Sequence, residues 1–388
     1  MKTIVLKGIA WDHPRGYEPL RATSTEFTRD YPEVQVQWHI RSLKEFGDMP
    51  VEDLIHTYDL LTIDHPYMGQ AHKNKLLVPL ETHLPEQDLE ELENQSVGPS
   101  YRSYQYQGHQ YALPIDAAAL VAASSEDIIL KQGLSVPPTR EALLDFYKKL
   151  PKGLSVAWPL CPTDLWCSFL TLCAQDAGRH FIQKDAIDVK TGTAVLDELK
   201  LHLGYLHQES LHWNPIQVLD QMSKEEDIAY APFLFGYTNY SREGYAKGLI
   251  RFGNSPMNPE TDVSTILGGV GLAVSSKSEH ISLAVSYVHF VASAKTQKGT
   301  YTKNGGQPGN LVAWECARNN VLCGNFFDET RITMEQAYVR PRHAGWNKFQ
   351  EQGAELLHQG LVKDISSAKT MKALNQLYRS IFHDEERL

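Results

Sequence analysis

Apolar and polar positions alternate in segments that predict strands separated by helices. Thr3 to Ala10 reads as a first buried strand, followed by the turn Trp11-Asp12-His13-Pro14-Arg15-Gly16. Glu18 to Tyr31 reads as a helix with Leu20, Phe27 and Tyr31 on one face. Val34 to Ile40 alternates as a second strand, and Tyr58 to Asp64 forms a third, after a polar segment from Ser42 to His56. Strand, helix, strand, helix, strand is the pattern of an α/β sheet of mainly parallel strands. Ligands of such sheets bind beyond the carboxyl ends of the strands. That rule brings Asp12, His13, Asp64, His65 and Tyr67 together.

The stretch Gly108 to Ala117 organises the rest of the chain. Tyr111, Leu113 and Ile115 alternate with Ala112, Pro114 and Asp116. Pro114 lacks an amide donor, which fits an edge or crossing strand rather than a central one. We read it as a strand that leaves one body of the protein and enters another, with Asp116 at the mouth of a cleft. Beyond it the pattern predicts helices over Thr139–Leu150, Leu165–Ala177 and Thr193–His207. It also predicts strands over Leu154–Trp158 and Ile228–Tyr237. The glycine-bearing run Ile266 to Val274 reads as a strand crossing back. His280–Ala292, Trp346–Leu361 and Ser366–Phe382 read as helices.

Length divides this pattern into two domains, because 388 residues exceed one typical core. The net charge of −10 argues against a nucleic-acid partner. No apolar run reaches the roughly 18 residues a membrane span needs. No secretory signal opens the chain. A cytoplasmic location is expected for it as written, and a periplasmic one if a leader has been removed. The five cysteines, Cys161, Cys167, Cys173, Cys316 and Cys323, match no zinc spacing and are expected to be free thiols. No cofactor or metal motif is present.

Several segments in order carry a resemblance. They are Asp59 to Tyr67, Leu77-Val78-Pro79-Leu80, Tyr111-Ala112-Leu113-Pro114 and Pro138 to Leu143. Gly268 to Val274 with Ala284 to Phe290, Gly305-Gly306-Gln307-Pro308 and Arg340-Pro341 complete the set. On these the chain resembles the family 1 extracellular solute-binding proteins, the carbohydrate-type receptors of ABC importers. The resemblance implies a two-lobe periplasmic-binding-protein fold, of the Venus-flytrap, type II-like class, with the ligand cleft at the hinge. It also implies an ABC permease as partner. We expect one lobe from 1–112 plus 268–312 and the other from 113–267 plus 313–388, in a monomer.

The candidate ligand-binding residues are Trp11, Asp12, His13, Asp64, His65, Tyr67, Asp116, Trp158, Asp164, Tyr237, Gly268, Gly269 and Arg340. Flat aromatic faces suit sugar rings, and carboxylates accept hydrogen bonds from hydroxyls. Glycines let backbone amides approach a ligand, and an arginine pairs with a ligand carboxylate or within the fold. Asp164 has helix capping as an alternative role. Four aspartates against fewer cations favour a neutral, hydroxyl-rich ligand, a sugar before a sugar acid. The leading reading is a non-catalytic protein that closes around a small polar solute. The alternative is a cytoplasmic enzyme or sensor on the same scaffold, with His13, His65 and Asp64 as acid–base groups.

Overall fold

The structure is a computed structural model that describes residues 3–42, 51–184, 186–224 and 227–385. Part of the polar segment from Ser42 to His56 falls outside the described residues. The strands are β1 (Ile4–Trp11), β2 (Val34–Arg41), β3 (Leu60–Ile63), a hairpin of β4 (Gln105–Tyr106) and β5 (His109–Gln110), β6 (Ala112–Ser125), β7 (Ser155–Val156), β8 (Ile228–Phe235), β9 (Ile250–Gly253) and β10 (Leu267–Val274). The main sheet runs in the order β2, β1, β3, β10, β6, β8, β7, with β9 also paired to β6.

β1 pairs in parallel with both β2 and β3, as the alternation predicts. β10 then runs antiparallel to β3 and to β6. The sheet is therefore mixed, because the two crossing strands reverse direction at its centre.

β6 is the organising strand. All 14 of its residues are buried. Its first half, Ala112 to Ala119, pairs with β10. Its second half, from Leu120 on, pairs with β8 and β9. Pro114 falls in the first half. The loop after residue 304 covers the neighbouring backbone there, with the Ala117 amide donating to the Gln307 carbonyl at 3.1 Å. A missing amide donor therefore costs no sheet hydrogen bond to β8.

The strand passes from one hydrophobic core to another. Leu113 and Ile115 pack with Leu6, Leu20, Leu272 and Val288. Leu120 and Ala122 pack with Phe146, Trp158, Trp166, Phe233 and Trp346. A third cluster holds the other face of β6, with Ala119 and Val121 against Leu234, Trp314 and Phe326. The result is a two-lobe binding-protein fold.

The helices of ten or more residues are α1 (Pro14–Asp30), α2 (Arg140–Lys149), α3 (Pro162–Ala177), α4 (Val189–Leu203), α5 (Pro215–Lys224), α6 (Ile281–Ala292), α7 (Trp346–Val362) and α8 (Ser367–Glu385), among the described residues. α1 begins four residues before the periodic pattern suggests. His13 caps it, its side chain accepting from the Arg15 amide, and Pro14 fills the first turn, where no amide is needed. α3 likewise starts at Pro162, so Asp164 lies inside its first turn and is not its cap. The expected strand Leu154–Trp158 shrinks to two paired residues, because the chain turns away after Val156.

Candidate functional site

The loops after β1 and β3 face the turn after β8 and the segment that leads into α7. Four elements far apart in sequence thus meet along one seam.

On the first side, Arg15 reaches from the start of α1 to the hinge strand. Its Nε donates to Asp116 Oδ2 at 2.7 Å, and its Nη2 donates to Asp116 Oδ1. Its Nη1 donates to the Gly236 carbonyl at 2.7 Å, beyond the end of β8. The guanidinium also lies over the Tyr237 ring, 4.7 Å from the centroid. Arg15 and Asp116 are both buried. Burial alone would push the Arg15 guanidinium down, but the charge and hydrogen bonds of Asp116 outweigh it and raise it. One arginine thus ties the first helix, the hinge and the second wall together.

His13 stands beside this pair. Its ring meets Tyr237 edge to face at 4.7 Å, and its Nε2 lies 3.4 Å from the Tyr245 hydroxyl. Its Nδ1 is occupied as the helix cap. Burial, followed by the charge of Arg15, lowers its pKa to about 3. The ring is neutral at neutral pH. Asp12, one residue earlier, is exposed, and Trp11 is buried in the core of β1 and α1.

On the second side, Asp64 Oδ2 accepts from Arg340 Nη2 at 2.6 Å. Asp64 caps the short turn His65–Tyr67, its Oδ1 accepting from the His65 amide at 2.8 Å. Burial works to raise the Asp64 carboxyl, but Arg340 and the His65 hydrogen bond hold it well below the usual carboxylate range. His65 itself is fully buried, and burial and the Arg340 charge lower it to about 4. Its Nε2 has no hydrogen-bond partner among the described residues. Tyr67 follows, half-buried.

The same seam carries a second arginine contact. Arg342 Nη1 donates to the carbonyls of Arg102 and Ser103, which end a short helical turn, and of Gln105 at the start of β4. Gly69 packs directly on the backbone of Arg342 to Ala344, where a Cβ would collide. Only glycine fits that approach.

Asp164 completes the second wall. It is buried, and its Oδ2 accepts from the Cys161 thiol at 3.0 Å. Burial pushes its carboxyl up to about 7. Arg340, Asp164 and Asp64 all lie near enough to act on the Cys167 thiol, which burial raises to about 12.

Four expected site residues lie elsewhere, Trp11 in the core of β1 and α1 being the first. Trp158 is fully buried in the second core, its indole donating to Ser168 Oγ at 2.9 Å and its ring packed on Phe233. The Cα of Gly268 faces the Phe235 ring, and Gly269, at φ +103°, closes on the Asp116 carbonyl within the β6–β10 pairing. These glycines serve sheet packing, since the pairing leaves no space for a side chain.

The turn after β8 adds residues outside the expected set. Tyr240 donates to Asp220 Oδ1 at 2.8 Å, and Tyr245 packs edge to face on Tyr240 at 5.2 Å. Gln307 locks this turn to the hinge, its Oε1 accepting from the Thr238 amide and its Nε2 donating to the Ala117 carbonyl. Arg15 is the most central residue of the seam and lies in the first turn of α1. Its signal in the sequence was a lone cation directly after Asp12-His13-Pro14.

Residues 53–315 match the bacterial extracellular solute-binding protein family, well over half of the 388 residues. The chain belongs to that family. The fold agrees with solved structures. A maltose-bound T. maritima protein, MalE3, superposes with a TM-score of 0.84 at 16% identity, over 98% of this chain and 100% of that one. An ABC transporter solute-binding protein from Agrobacterium radiobacter K84 in complex with ribitol gives 0.84 at 17% identity, over 98% and 99%. One from Agrobacterium vitis S4 with bound D-mannitol gives 0.78 at 14%, over 99% of each. This solute-binding protein thus shares the two-lobe architecture of those structures. Among its described residues no helix is long and apolar enough to cross a membrane.

Proposed function

We propose that this solute-binding protein clamps a neutral, hydroxyl-rich ligand, a sugar or polyol, along the seam between its lobes and presents it, as a monomer, to an ABC permease. The observation that carries this reading is charge pairing. The two buried cations of the seam, Arg15 and Arg340, already face carboxylates, Asp116 and Asp64. An acidic ligand would have to displace one of these. Tyr245 and Tyr67 offer flat faces, and Asp164 and Asp12 offer acceptors for hydroxyls. The ligands named for the similar structures, maltose, ribitol and mannitol, are uncharged polyhydroxy compounds and fit the same chemistry.

In this reading the lobes comprise 1–112 with 268–312 and 113–267 with 313–388. Core membership supports the return of 268–312 to the first lobe, because Val270, Val285 and Tyr301 pack with Leu6 and Leu20; Leu113 and Ile115 pack there too, which moves the first crossing further along β6 than residue 113. Ligand entry requires Asp64 to part from Arg340, and Arg15 to part from Gly236. Hinge opening at β6 would supply both. Nothing in the chemistry of His13 and His65 favours the enzyme reading, since both are held neutral well below physiological pH.

A thermal-shift panel tests the proposal. Neutral sugars and polyols, maltose, ribitol and mannitol among them, are expected to include a stabilising ligand. Gluconate and glucuronate are expected to shift nothing. Stabilisation by sugar acids alone would contradict the reading.

A further inference from the structure

A groove of about 600 Å³ opens on the first lobe, away from the seam. That volume suits a small molecule. Tyr111 lines it, five positions before Asp116 of the seam, about 16 Å of extended chain. No residue of the two seam ion pairs lines it.

The floor of the groove is apolar. Leu77, Val78 and Tyr111 are buried there, with Pro79 and Ile281 half-buried beside them. The rim is polar and exposed, and carries Lys73, Lys75, Thr82 and His83. His72 and His109 form one side, their ring centroids 5.9 Å apart. The chain has 47 acidic residues against 37 basic, yet among the described residues none of the lining side chains is a carboxylate. Glu81 stands behind the lining and is already engaged. It accepts from the Gln110 amide at 3.1 Å and from His109 Nδ1 at 2.5 Å.

The backbone of Lys75 lies at φ +52°, in the left-handed region. Glycine or asparagine adopts that conformation at less cost than lysine. Two hydrogen bonds hold it there. The Lys75 amide donates to the His72 carbonyl at 3.2 Å, and Ser276 Oγ donates to the Lys75 carbonyl at 2.8 Å. A long cation thus occupies a position whose backbone favours a small residue, and it lines the groove. Backbone strain of this kind persists where the side chain has a use.

The lining chemistry differs from that of the seam. Ammonium groups only donate, and a hydroxyl-rich ligand would find no carboxylate acceptor here. An anion fits the rim, because charges of one sign around a low-dielectric floor concentrate the opposite charge. The floor gains only from a ligand that brings apolar surface to it.

We propose that this groove is a second binding site, for a small organic anion with an acidic head and an apolar body, of the aryl or alkyl carboxylate class. Lys75 and Lys73 take the head, and Leu77, Val78 and Ile281 take the body. Calorimetric titration with 4-phenylbutyrate and with octanoate, each beside its neutral amide, and with inorganic phosphate tests it. At least one of the two acids should bind at one per chain, at least tenfold more tightly than its amide and than phosphate. Lys73→Gln/Lys75→Gln should weaken the acid at least tenfold and leave the amide unchanged. Lys75→Gly should raise the unfolding midpoint and still weaken the acid, a pairing of effects that a merely structural lysine would not give. Ile281→Glu, in the first turn of α6 where an acid is tolerated, should abolish binding of the acid. Binding of neither acid, equal binding of acid and amide, or tighter binding of phosphate would overturn the proposal. So would undiminished affinity for the acid in the folded lysine double variant.

Discussion

Asp64 and Arg340 join the two sides of the seam through a single hydrogen-bonded ion pair, 2.6 Å from Oδ2 to Nη2. The arginine is buried and the aspartate about one fifth exposed. Such a pair does two things at once. It consumes the cation an acidic ligand would need, and it fastens one wall to the other.

The first prediction follows for stability. Read from sequence alone, Asp64→Ala is expected to leave the ligand-free protein almost unchanged. The pair alters that expectation, since the substitution strands a buried guanidinium. Ligand-free stability should fall by about 2–3 kcal/mol, the scale of a hydrogen bond to a charged group plus part of an uncompensated charge. Chemical denaturation of the two proteins measures it, and equal midpoints would remove the pair as a fastening.

Arg15 should matter more. Arg15→Ala leaves Asp116 buried without its bidentate partner, and removes the contact to Gly236. A loss of about 3–5 kcal/mol is expected. The double variant Arg15→Ala/Asp116→Ala should lose less than the two single losses combined, because the second change relieves the stranded charge. Additive losses in denaturant melts would show that the two side chains act independently.

Much of this frame was legible in the sequence. The period-two run through Tyr111 to Ile115 and its proline marked β6 as the crossing strand, and the strand-end rule picked out Asp12, His13, Asp64 and His65, which follow the ends of β1 and β3. The pairing was not legible. Arg15 and Asp116 are 101 positions apart, and Asp64 and Arg340 are 276 apart. Nothing local distinguishes an aspartate left open to ligand from one already held by a distant arginine. Trp158 misled for a related reason. A tryptophan near a predicted strand end looks like a sugar platform, yet β7 is only two residues long and the ring turns into the core.

The histidines and Asp164 set opposite pH dependences. His13 and His65 are depressed to about 3 and about 4. The unfolded chain therefore takes up protons on both as pH falls from about 6.5, before the folded protein does. Their stabilising contribution is complete above that pH and is lost as pH falls toward 4. Asp164, raised to about 7, works the other way. Its contribution is present below about 4 and is lost as pH rises to 7. Burial also raises the Asp116 carboxyl, which works with Asp164, so the two of them partly offset the increase from pH 4 to 6.5 that the histidines produce. Asp164→Asn should steepen that increase, and a variant with an unchanged slope would remove Asp164 from the balance.

All five cysteines are free in the structure. Five thiols should titrate in denaturant without reductant. In the folded protein half-buried Cys316 should react fastest; the Cys161 thiol is raised by burial and donates to Asp164, and Cys167, Cys173 and Cys323 are shielded. Uptake of reagent by all five at one rate would contradict this burial pattern.

The central claim is that the seam prefers neutral ligands because its two buried cations, Arg15 and Arg340, are already paired. Calorimetric titration of wild type and Asp64→Asn, each with a neutral sugar or polyol hit and with the corresponding sugar acid, tests it most directly. Wild type should bind the neutral compound at one per chain and the acid at least tenfold more weakly. Asp64→Asn should bind the acid more tightly than wild type does, because Arg340 is then free to pair with it. Wild type that prefers the acid, or an Asp64→Asn protein with its affinity for the acid unchanged, would contradict the account.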